Sequence, residues 1–182
     1  MFSRIKARFN DIGTIGTIGT LCTGAEQHAL RDHQREPGAE HFLLAALDLP
    51  DGTARQAFAA VGADPAALHQ AIARQYGDAL AAIGLEIASS SSAGSEQLAA
   101  RPGAFNASAS GQEVMQALAA SRSRHGPLLG SHVVAIVAGM PHGVAARALR
   151  AMGVDLAQLR SAAEAVAGAD ARPEAGRAHF AR

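Results

Sequence analysis

Four features carry residue types that could do chemistry. They are the glycine run Ile12-Gly13-Thr14-Ile15-Gly16-Thr17-Ile18-Gly19-Thr20, the histidines His28 and His33, the pair Glu40-His41, and the pair Ser131-His132. A glycine run invites comparison with a phosphate cradle, but a P-loop ends in Gly-Lys-Ser/Thr so that an ammonium and a hydroxyl reach the phosphates and the magnesium. Here Gly19 leads into Thr20-Leu21-Cys22-Thr23-Gly24, and the only lysine, Lys6, lies upstream. The dinucleotide fingerprint fails as well, because the glycines are spaced by three throughout and follow no strand-like run. Ser131-His132 has the types of a nucleophile and base, yet adjacency in sequence does not give catalytic geometry, and no G-x-S-x-G elbow is present. The chain therefore reads as a non-enzyme. His28 and His33 are five apart and share no helix face, and no H-E-x-x-H or cysteine pair assists them, so neither a metal nor a cofactor is expected. Glu40, in the first turn of a helix, complements the helix dipole.

Composition narrows the partners. Sixteen basic and sixteen acidic residues cancel, which leaves no field to hold a nucleic acid or an anionic membrane. The lone Cys22 permits no intramolecular disulfide and reads as a small buried residue. The start MFSRIKARF is basic, but Asp11 and the repeated Thr and Gly interrupt any signal-peptide core, and no apolar run is long enough to span a bilayer. The expected location is cytoplasmic.

The elements that position these residues come from an internal repeat. At a constant offset of 91, His41 pairs with His132, Pro50 with Pro141, Gly52 with Gly143, Gly62 with Gly153, Asp64 with Asp155 and Leu68 with Leu159. Several of these are punctuation residues, which alanine-rich composition alone does not align. Helices are predicted over 41–47, 54–61 and 65–74. Gly62 closes the second in a left-handed conformation, and Asp64 caps the third with Pro65 at its first position. Gly153 and Asp155 repeat that stop and start ahead of a helix over 156–166. The residues 111–124, with Val114, Met115 and Leu118, predict the first helix of the second copy, and by symmetry a first helix precedes His41. His41 and His132 read as packing and hydrogen-bonding residues at equivalent helix starts. Met140, Val144, Leu149 and Met152 read as core, with a groove between repeats suited to peptide.

The fold expected is all-α: two tandem, pseudo-symmetric four-helix repeats packed into one globular domain. The organisation is residues 1–24 as an N-terminal arm or modified first helix, 25–83 as repeat 1, 84–108 as a Ser/Gly/Pro linker, 109–168 as repeat 2, and 169–182 as a disordered tail.

This pattern resembles the N-terminal double-repeat domain of Clp (Hsp100) chaperones. The segment Gly38-Ala39-Glu40-His41-Phe42-Leu43-Leu44-Ala45-Ala46-Leu47 is similar to the family's G-T-E-H-L-L-L-A-L-L, and Gly62-Ala63-Asp64 and Gly153-Val154-Asp155 match its l-G-v-d turn. Phe105 lies 27 residues before His132, where the family commonly has a phenylalanine. No AAA+ module accompanies the repeats in these 182 residues, so the resemblance implies an ATP-independent module that binds polypeptide clients, adaptors or Clp components and modulates Clp-dependent proteolysis. In Gram-positive relatives of the family, the glutamate of the T-E-H triplet in each repeat helps receive the guanidinium of phosphoarginine. Glu40 stands at that position in the first repeat, and Ser131 replaces it in the second, which implies at most one such site. Cyclic peptide antibiotics bind family members near an N-terminal phenylalanine, a place that Phe2 resembles. Sequestration of such peptides is the alternative function.

Overall fold

The computed structural model describes residues 2–82, 105–122 and 127–170, with side chains described within 15–169. The expected linker falls largely, and the expected tail almost wholly, outside these spans. Among the described residues all regular structure is helical. The order is α1 (Phe2–Arg31), α2 (Ala39–Leu47), α3 (Thr53–Ala60), a 3-10 turn (Pro65–Ala67), α4 (Leu68–Ala82), α5 (Ala109–Ser121), α6 (Gly130–Ala138), α7 (Val144–Ala151) and α8 (Leu156–Asp170). The chain is all-α.

The 91-residue offset holds to the residue in the two short helices of each copy: α2 maps onto α6 and α3 onto α7 at both ends. Shared local chemistry explains the match. Gly62 and Gly153 both take positive φ, 68° and 75°, where a Cβ would be strained, and both close their helices by returning the next amide to an earlier carbonyl. Asp64 then accepts from the Ala66 amide at 2.9 Å, and Asp155 from the Gln158 amide at 2.8 Å. The helix expected over 65–74 divides in two: Pro65–Ala67 is a 3-10 turn, and α4 runs on to Ala82. Similarly α5 begins two residues earlier than expected, because Ser108 caps it, and α8 extends to Asp170.

Neither copy closes on itself. α3 packs against α8, and α4 against α7, so the last two helices of each copy lie on those of the other, while α2 and α6 touch at the centre. Phe42, Leu43, Phe58, Leu68, Ile72, Val133, Val134, Leu149 and Leu159 fill one shared core drawn from both copies. Unit-sized repeats cannot bury their apolar faces alone, and mutual burial removes those faces from water.

The IGT run is helical. Leu21, Ala25 and Ala29 are buried against α2, and a side chain on Gly24 would approach the Ala45 Cβ to 3.1 Å, so this part of α1 is held close. Upstream of it the helix propagates: each further residue adds one hydrogen bond, which offsets a cost of about 1 kcal/mol per glycine. Thr20 Oγ donates to the Gly16 carbonyl at 3.0 Å, and a Cβ on Gly16 or Gly19 would meet nothing. These glycines serve neither a tight turn nor a close approach.

Candidate functional site

The N-terminus of α2 gathers the polar residues of the first copy. The chain enters through Pro37 and an extended Gly38, whose amide donates to His41 Nδ1 at 2.8 Å. That bond occupies the Nδ1 lone pair and leaves the proton of the neutral ring on Nε2. Nε2 faces Asp32 Oδ2 at 3.4 Å, and Asp32 Oδ1 lies 3.2 Å from His69 Nε2 on α4. Asp32 is buried. Burial by itself raises its carboxyl, but the close approach of His41 and the positive charge that His69, His41 and His28 carry when protonated outweigh it and hold the group below its ordinary range, although Asp32 Oδ2 and His41 Nε2 make no hydrogen bond of good geometry. The Ala39 amide donates to Ser110 Oγ of α5 at 3.1 Å, so the second copy helps cap this helix.

Glu40 sits inside this arrangement. It is 5% exposed, and its carboxylate folds back over Gly38. The Tyr76 hydroxyl of α4 donates to Glu40 Oε1 at 2.6 Å, and Glu40 Oε1 lies 3.5 Å from His41 Nδ1. The Tyr76 and His41 rings are near-parallel, with centroids 6.4 Å apart. Burial, then the hydrogen bond to Glu40 and the Glu40 charge, push the Tyr76 phenol far above its ordinary range. Among the described residues no lysine or arginine pairs with Glu40. A carboxylate removed from water without a cation is costly, so this one is a candidate for recognition of positive charge.

The equivalent place in the second copy is built differently. The Leu129 amide donates to His132 Nδ1 at 3.0 Å, repeating the histidine bond. The next two amides are closed from the first copy: Gly130 donates to Asp51 Oδ2 at 3.1 Å and Ser131 to Thr53 Oγ at 2.9 Å. Asp51 Oδ1 also accepts from the Thr53 amide and hydroxyl, so one carboxylate starts α3 and, through Thr53, caps α6. Ser131 is fully buried, and its hydroxyl has no hydrogen-bond partner. A side chain on Gly130 would come within 2.9 Å of the Ala46 carbonyl oxygen, so the backbones meet directly here.

Phe2 begins α1, and its side chain lies outside the described residues; among those described, the buried part of α1 against α2 begins at Leu21. His28 bonds Asp48 Oδ2 at 2.8 Å and ties α1 to the end of α2, whereas His33 follows the helix at φ 57°. No group of three or more metal-ligating side chains occurs among the described residues. Sequence reasoning passed over Tyr76, Asp51, Thr53, Asp32 and His69. One signal was available: His69 and Tyr76 are seven apart and share a helix face, and Tyr76 is the only tyrosine.

The family model described as the Clp repeat (R) N-terminal domain matches residues 21–118, just over half of the chain, and the chain belongs to that family. The chain carries a Clp-type protein-interaction module. No curated protein matches it. The match begins at Leu21, the first buried residue among the described side chains of α1, and ends at Leu118 in α5, short of Ser131 in the second copy. No helix among the described residues is long and apolar enough to cross a membrane.

Proposed function

We propose that this chain binds polypeptides through a guanidinium-bearing side chain received at Glu40, and so supplies recognition to Clp-dependent proteolysis. The observation that carries this reading is the buried Glu40 carboxylate, which among the described residues accepts its hydrogen bond from a neutral phenol and has no lysine or arginine within ion-pair distance. A guanidinium brings both the charge and a fork of donors that matches two carboxylate oxygens. An arginine or a phosphoarginine on an unfolded or tagged client fits that requirement. The second copy offers no counterpart, since Ser131 is neutral and the first copy's own Asp51 and Thr53 occupy the α6 amides. One client residue per chain follows.

Calorimetric titration of the full chain with phosphoarginine and with an arginine peptide tests this, with a phosphoserine control. Saturable binding at one site that disappears in Glu40→Gln supports the proposal. Heat unchanged by that substitution, or no heat at all, sinks it.

A further inference from the structure

Glu40 is already engaged by Tyr76. The Tyr76 hydroxyl reaches Oε1 at 2.6 Å, and the carboxylate lies in space that exists because residue 38 has no side chain: a Cβ there would stand 2.9 Å from Glu40 Cδ and Oε2. Buried residues of α4 end at Ile72, and Tyr76 is half-buried, packed at the edge of the core and followed by Gly77. Its helix neighbours Ala73, Arg74, Asp78 and Ala79 are exposed, so the phenol can be displaced by local movement at the cost of its own packing and of the Arg147–Gln75 hydrogen bond.

We propose that Tyr76 is the specificity-determining residue of this site: its hydroxyl latches Glu40 in the closed position, and only a group that brings positive charge and more than one donor displaces it. The inference rests on the reading that Glu40 receives a guanidinium. A single neutral donor from a ligand would merely replace the phenol, one hydrogen bond for another, with no net gain. A guanidinium replaces it with charge-assisted, two-pronged bonding. An ammonium brings charge without the fork, so lysine falls between the two. The latch also keeps the carboxylate hydrogen-bonded while the site is empty, which lowers the cost of burying it.

The chain provides its own reporter, since Tyr76 is the only tyrosine and there is no tryptophan. Tyrosine emission is followed while phosphoarginine, an arginine tripeptide and the matching lysine tripeptide are added to the full chain. Affinities are measured by calorimetry for the natural sequence, Tyr76→Phe, Gly38→Ala and Glu40→Gln. Tyr76→Phe keeps the ring against His41 and removes only the latch, and Gly38→Ala expels the carboxylate by a separate route. The expected result is a change in tyrosine emission on adding phosphoarginine that is absent in Glu40→Gln. Phosphoarginine should bind about tenfold tighter to Tyr76→Phe, the equivalent of one hydrogen bond to a charged group. Its preference for arginine over lysine should narrow, and Gly38→Ala should shift affinity in the same direction. If the natural sequence binds and Tyr76→Phe binds equally or more weakly, the latch is overturned while the guanidinium site stands. Should none of the four bind, the guanidinium reading is overturned and the latch with it.

Discussion

The α2 and α6 N-termini start alike and finish differently. Both open with a histidine whose Nδ1 accepts the amide three residues before it. At α6 the following two amides are closed by side chains from the other copy, and the residue at the glutamate position is a buried serine. At α2 a second-copy serine closes one amide, and the glutamate remains as a buried carboxylate that, among the described residues, accepts from a phenol. The duplicated element thus differs between copies: the α6 end is closed by side chains of the other copy, while the α2 end keeps a buried carboxylate, the group to which we assign recognition.

The division can be broken experimentally. The largest effect is expected at Gly111, in the first turn of α5: an added methyl would collide with the Pro37 carbonyl oxygen and crowd Phe42, and neither backbone can yield cheaply. Gly111→Ala should lose about 3 kcal/mol, the upper part of the usual range for overpacking, measured by urea unfolding. A loss near zero would mean that α5 does not brace the entry to α2.

Next comes Asp51→Ala, which orphans the Gly130 amide and the Thr53 amide and hydroxyl, for a loss of about 2 kcal/mol. Glu40→Gln should cost clearly less on the same assay, because it retains an acceptor for Tyr76 and removes an unpaired charge. Equal costs would erase the distinction between a structural and a spare carboxylate.

The caps that the two copies share make a control. Asp64→Ala and Asp155→Ala should each lose about 1 kcal/mol, and a large difference between them would show that the copies differ beyond their helix starts.

The smallest effect is confined to acid. Because the folded Asp32 carboxyl titrates below its ordinary 3.8, the unfolded chain takes up that proton first as pH falls. Its contribution is full above pH 3.8 and declines below it toward the folded pKa. Asp32→Asn should flatten that part of a stability-against-pH curve from urea midpoints. An unchanged slope would show that Asp32 is not tied to His41 and His69.

How far the sequence was legible follows the same line. The offset of 91 carried the helix boundaries of both copies, because Gly62, Gly153, Asp64 and Asp155 act on amides within a few residues of themselves. Glu40 was legible as a residue of interest through the G-x-E-H segment, but its burial and its phenol partner were not. The IGT run was ambiguous for a related reason: its glycines disfavour a helix locally, and the anchor that sustains α1, Leu21 to Ala29 against α2, is a tertiary contact.

The sequence by itself determined that this protein is helical, duplicated and punctuated at matching positions, since propensity, capping and left-handed glycine are short-range physics. Only the tertiary structure decided which helix start is sealed and which keeps a carboxylate. Asp51 reaches Gly130 across 79 residues, and Tyr76 reaches Glu40 across 36. Those meetings depend on how α3, α4, α6 and α2 pack into one core, and no local pattern encodes a contact that exists only after the helices have closed on one another.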